Sequence, residues 1–213
     1  TPGLFGGITA LGVEEVSQEP STVDNASPHG DEKGAPPEPR PEFDVTLSFN
    51  PDSAVIGVNR VEGITCAMVA PAGVSGNAVI SGQGSVVRLD GRPDAMLAQS
   101  RTLFANLGAD VSRAAQFMLL EQAVRETKPT PQMRDSDFRL LTPNGRDVLA
   151  RYLGGGRIAF RVDRATDIRQ VLAFAKAQGT RPVVVGGAQA WQVAEQLAQA
   201  KVPVVLDPLV DLP

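Results

Sequence analysis

Arg157-Ile158-Ala159-Phe160-Arg161-Val162, Asp167 to Gln178 closed by Gly179, Pro182-Val183-Val184-Val185, Gln189 to Ala200, and finally Val202-Pro203-Val204-Val205-Leu206 form the stretch that decides the fold. The three apolar runs have strand length, and the segments between them read as amphipathic helices. Their core stripes are Val171, Leu172, Phe174 and Ala175 in the first, and Trp191, Val193 and Leu197 in the second. Strands alternating with helices of about ten residues or more build βαβ units on a parallel sheet. Right-handed crossovers then leave an open doubly wound sheet or a barrel. The last apolar strand has almost nothing after it, so neighbours are expected to be missing on one side.

Upstream the same alphabet continues. Ser112 to Glu126 is a helix with apolar groups at Ala115, Met118, Leu119 and Ala123, stopped by Lys128-Pro129-Thr130-Pro131. Ala78-Val79-Ile80-Ser81-Gly82 and Ser85-Val86-Val87-Arg88-Leu89 read as two short strands ending at the Asp90-Gly91 turn. Ile64 to Ala70 is a continuous apolar run that fits a strand buried on both faces. Asn50 is placed to cap a helix over Pro51 to Val61, with Gly63 ending it. Residues 18–42 differ in kind. Segments such as Pro36-Pro37-Glu38-Pro39-Arg40-Pro41 fix φ and remove donors, which predicts a long mobile loop containing His29. The chain therefore divides into an entry strand region (1–17), this loop (18–42) and successive βα units (43–213).

Composition narrows the function. The 213 residues suffice for one ample domain, and 42% hydrophobic against 21% charged residues excludes wholesale disorder. Twenty basic and 24 acidic residues leave a net charge of −4, which points away from nucleic acid. No run approaches the roughly 20 apolar residues of a membrane span, and no signal core opens the chain. Thr1-Pro2-Gly3-Leu4 reads like the interior of a longer protein, so the compartment stays unassigned. Cys66 alone excludes an internal disulfide framework and, inside an apolar strand, reads as a small core group. His29 is the only histidine, whereas zinc enzymes usually draw two or three ligands from this residue type.

Several motifs have a structural reading beside a functional one. Gly154-Gly155-Gly156 fits a helix stop and turn, with no phosphate-loop spacing around it. Gly186-Gly187 follows a strand, where α/β folds place their sites, but a structural turn is the preferred reading. Ser81-Gly82-Gln83-Gly84-Ser85 lacks the Gly-x-Ser-x-Gly pattern of a nucleophile elbow. Arg161 and Asp163 put opposite charges at the exit of a buried strand, which is costly unless they are paired or used. Asp207 stands similarly after Val204-Val205-Leu206, and Asp207-Pro208 also starts a turn. The pocket-lining candidates are therefore Ser81, Gln83, Arg161, Asp163, Gly186 and Asp207.

Four stretches together resemble the amidohydrolase superfamily and its imidazolonepropionase-related branch. These are Thr1-Pro2-Gly3-Leu4 with Leu11-Gly12, Asn59-Arg60-Val61-Glu62-Gly63-Ile64-Thr65, Ala78 to Gly84, and the block from Arg161 to Leu206. The resemblance implies a parallel (β/α) TIM-type barrel, present here as an incomplete first half. It also implies hydrolysis of non-peptide C–N bonds, as in cyclic amides, by a water activated on Zn or Fe. Where the family places metal-binding histidines, this chain has Ile8, Ala10, Arg161, Asp163 and Gly186. No metal is therefore expected on this chain, and the catalytic residues are unassigned. The competing expectations are a hydrolase taking a small amide, a pseudoenzyme scaffold, and a half-barrel completed by a second copy or another chain.

Overall fold

The computed structural model describes residues 3–26, 38–73, 78–108, 112–128 and 139–206. Its centre is a seven-stranded sheet in sequential order: β1 Leu4–Thr9, β2 Ile64–Val69, β3 Ile80–Arg88, β4 Thr102–Asn106, β5 Arg157–Val162, β6 Arg181–Gly186 and β7 Val204–Val205. β1 and β2 are parallel, as are β4 through β7, and β3 runs antiparallel to both neighbours. The result is an α/β fold with a mostly parallel, barrel-like sheet. Residues 157–206 alternate strand and helix as the sequence predicts, while the reversed β3 departs from the all-parallel expectation.

Five helices accompany the sheet among the described residues: α1 Ala54–Val61, α2 Arg113–Glu126, α3 Pro143–Tyr152, α4 Ala165–Gln178 and α5 Ala194–Gln199. The main core lies between the strands and these helices. Leu103, Ile158, Phe160, Val162 and Val184 from the sheet meet Leu120, Leu149, Ile168, Val171 and Leu197 from the helices. α4 ends where Gly179 adopts φ +64°, a left-handed cap that costs a side-chain-free residue little. A smaller cluster of Val13, Val45, Ile56, Ala67, Val69, Val87 and Leu89 fills the β1–β3 end.

Differences from the sequence reading have local causes. α1 starts at Ala54, because the Asn50 side chain accepts from the Asp52 amide (3.0 Å) and closes its own turn. The two short strands predicted over 78–89 are one strand, β3. Its glycines are not breaks; they admit neighbouring backbone. β4 was not anticipated, and α3 only through the helix stop at Gly154-Gly155-Gly156. β2 is buried at Ala67 and Val69 but only partly at Ile64, Cys66 and Met68, so one face of that strand is open.

Two helices turn other faces inward than expected. In α2, Met118 is 55% exposed, and Gln116 and Glu126 are buried instead. Both serve loop backbone: the Gln116 carbonyl accepts from the Gly108 amide (2.8 Å), and the Glu126 carboxylate accepts from the Leu140 and Leu141 amides (2.9 Å each). The predicted helix over 189–200 begins as a 3-10 turn, Ala190–Val193, before α5. At three residues per turn, Ala190 and Val193 share the buried side and Trp191 rotates out to 75% exposure. Within the proline-rich segment, Pro20–Thr22 forms one 3-10 turn and Val23 bridges to Glu14. His29 lies outside the described residues.

Candidate binding site at the C-terminal end of the sheet

The parallel strands end together. Ile8 of β1, Pro71 just beyond β2, Asn106 of β4, Arg161 and Asp163 at the end of β5, and Gly186 of β6 all come to this end. β3 runs the other way, so its beginning, Ser81, arrives there too. Period-two alternation splits the side chains between two faces. Leu103, Ile158 and Phe160 face the helices. Phe104, Ala159, Val183 and Val185 share the opposite face with Ile8, Met68 and Ala70. Of these, Ile8, Met68, Val183 and Val185 are only partly buried, so this inner face is apolar and not fully covered.

Arg161 stands on that face. Register pairs it with Asn106, and its Nη1 donates to Asn106 Oδ1 (3.0 Å). Nη2 donates to the Pro71 carbonyl (2.7 Å), and the guanidinium lies 5.1 Å from the centroid of the Phe104 ring. Asn106 is itself oriented by donating from Nδ2 to the Ala78 carbonyl (3.4 Å). Burial pulls the Arg161 pKa down to about 10, so it remains a cation at neutral pH.

The salt bridge that the sequence suggested between Arg161 and Asp163 is not formed. Asp163 is exposed, and its Oδ1 accepts from the backbone amides of Gly187 (3.0 Å) and Ala188 (3.5 Å). It ties the loop after β6 to the end of β5. A Cβ on Gly186, where φ is +86°, would press on that carboxylate oxygen. The glycine pair is thus a turn shaped around Asp163. Gly154 and Gly155, at φ +80° and +136°, likewise form the turn after α3.

The remaining candidates separate. Ser81 is buried at a register shift and reaches the Phe104 carbonyl at 3.4 Å. Gln83 belongs to the helix-side face, where its Oε1 accepts from the Tyr152 hydroxyl (2.9 Å). Removing that donor strands a buried amide oxygen, so Tyr152→Phe is expected to cost about 1–2 kcal/mol in urea unfolding. A loss under a few tenths of a kcal/mol would show that Gln83 finds another partner. Asp207 lies outside the described residues. Asn106 and Phe104 were missed, because β4 is a five-residue run without the alternation that would single it out.

Of the five positions where the resemblance puts metal ligands, only Asp163 carries a side chain that could bind a divalent cation. Isoleucine, alanine and glycine side chains carry no lone pair, and a guanidinium is itself a cation. Among the described residues no three His, Cys, Asp or Glu side chains gather as a ligand set.

An amidohydrolase from Thermotoga maritima MSB8, known from a crystal structure, matches this architecture with a TM-score of 0.74. The two share a fold. The match covers 99% of this chain and 57% of that one at 21% identity, so this chain spans little more than half the length of its structural neighbour. No protein-family profile and no curated protein sequence matches the chain. No helix among the described residues is long and apolar enough to cross a membrane.

Proposed function

We propose that this chain builds part of a TIM-type barrel of the amidohydrolase superfamily, in the imidazolonepropionase-related branch, and binds a small molecule at the strand ends without metal-activated hydrolysis. The fold likeness to an amidohydrolase and the four sequence stretches support the superfamily. The superfamily's chemistry is C–N bond hydrolysis, for which a bound Zn or Fe would supply an activated water. One observation favours binding over hydrolysis: Arg161, a cation fixed by Asn106, Pro71 and Phe104, occupies a strand end where a ligand histidine belongs in the resemblance.

The partner proposal follows from the sheet margins. Leu4 (60% exposed) and Phe5 (52%) lie on the outer strand β1, and Leu206 (53%) follows the outer strand β7. Apolar edges with open backbone groups invite another strand. Completion of the sheet by further polypeptide, a second copy included, is therefore part of the proposal.

Native mass spectrometry of the purified chain, incubated with zinc and then desalted, tests both parts. The expected spectrum is metal-free and contains an assembly larger than one chain. Stoichiometric zinc, together with hydrolysis of a cyclic amide such as dihydrouracil, overturns the non-hydrolytic reading. A strictly monomeric, cooperatively folded species overturns the completed sheet.

A further inference from the structure

Arg161 is partly buried at the sheet end and meets no carboxylate among the described residues. Arg40, Arg88, Arg101 and Arg113 each meet a carboxylate: Glu38 and Glu42, Asp90 and Asp94, Asp44, and Asp167 respectively. Arg161 has only neutral partners among the described residues, an amide oxygen and a backbone carbonyl. A guanidinium carries five N–H donors in a planar fork. Two are engaged by Asn106 and Pro71, which leaves three without a partner among the described residues. The fork is nevertheless held in place by those two bonds, with the Phe104 ring beside it.

A partly buried cation with fixed orientation and donors left open by the described residues is a preorganised anion receptor. Its surroundings select among anions. Ile8, Met68, Val183 and Val185 offer apolar contact on the same face. Exposed Asp163, which follows Val162 at the end of the same strand, disfavours a dianion. We infer that Arg161 is the receptor for a carboxylate carried on a small apolar group, bound at the C-terminal end of the sheet. Planar carboxylate matches the planar fork, which a compact ammonium does not reproduce.

This inference rests on the proposal that the inner face is the binding face, and its test separates the two. Butyrate, acetate and inorganic phosphate are titrated into the full chain by calorimetry at constant ionic strength. In parallel, the arginine Nε–H resonances of 15N-labelled protein are followed. Butyrate is expected to saturate, acetate to bind more weakly, and phosphate not to saturate, with one Nε–H resonance moving. Arg161→Gln is expected to weaken butyrate at least about tenfold, and Arg161→Lys to weaken it while keeping the charge. The exposed Arg164→Gln is the control and keeps wild-type affinity.

Circular dichroism establishes that each variant is folded. Should Arg161→Gln not fold, the wild-type resonance shift and Arg161→Lys decide the matter. Absence of saturable butyrate binding, or unchanged affinity in Arg161→Lys, overturns the inference. Zinc content measured on the same samples reports separately on the non-hydrolytic proposal.

Discussion

Gly84→Ala is expected to prevent β2, β3 and β4 from closing together. Gly84 is buried in β3, and a Cβ there would overlap the Val69 carbonyl oxygen of β2 and come within 3.0 Å of the Phe104 ring of β4. The Val69 oxygen is backbone, fixed by the register that pairs Val69 with Ser85, so no rotamer change relieves the overlap. Overpacking ordinarily costs about 1–3 kcal/mol, and the rigid partner places this case at about 3 kcal/mol or above. A large fall in urea midpoint, or accumulation in the insoluble fraction, is the expected result. Gly57→Ala is the matched control: it lies on the exposed side of α1, where an added Cβ meets nothing within 4 Å. That substitution is expected to stabilise by about 0.5–1 kcal/mol. Equal stability of Gly84→Ala and wild type would mean that β2 and β3 slide freely, contrary to the register.

Phe160→Ala is expected to cost about 3–5 kcal/mol, a large part of the ~5–15 kcal/mol that holds a domain together. Phe160 is fully buried at the centre of β5, in the main core. Its ring stands edge-on to Phe174 of α4, centroids 5.9 Å apart and planes at 77°. Removing it takes away apolar contact and leaves a void between strand and helix that a close-packed interior fills poorly. Because Phe160 faces the helices and Arg161 the inner face, carboxylate affinity per folded molecule is expected to persist in this variant. Denaturant unfolding and titration together check the claim. A loss below about 1 kcal/mol would indicate that the β5–α4 contact is not the core.

How much of this was legible depends on the physics at each residue. Arg157 to Leu206 is readable because periodicity alone distinguishes strands of β-branched residues from helices closed by Gly179. β4 was not, since Thr102-Leu103-Phe104-Ala105-Asn106 is only five residues long and carries no strict polar/apolar alternation to mark it. Gln116 and Glu126 defeated the pattern in α2, because each satisfies loop backbone from a buried position that hydrophobicity assigns to an apolar group. Trp191 defeated it in the other direction: one 3-10 turn changes the period from 3.6 to 3.0 residues and swings the indole outward. At the site, Arg161 and Asp163 were visible as charges at a strand exit, and Gln83 as a polar group near glycines. That Gln83 faces Tyr152 while Arg161 faces the inner surface follows from a register that no local pattern encodes.

The sequence by itself determined the α/β alternation, the single histidine of the chain, and the placing of Arg161 and Asp163 at the end of a strand. These are matters of residue type and spacing along one chain. The tertiary structure alone decided that Arg161 and Asp163 do not pair, that β3 runs antiparallel, and that Asn106, Pro71 and Phe104 position the guanidinium. Those contacts join residues 55 and 90 positions apart, and only the closing of the sheet brings them within reach.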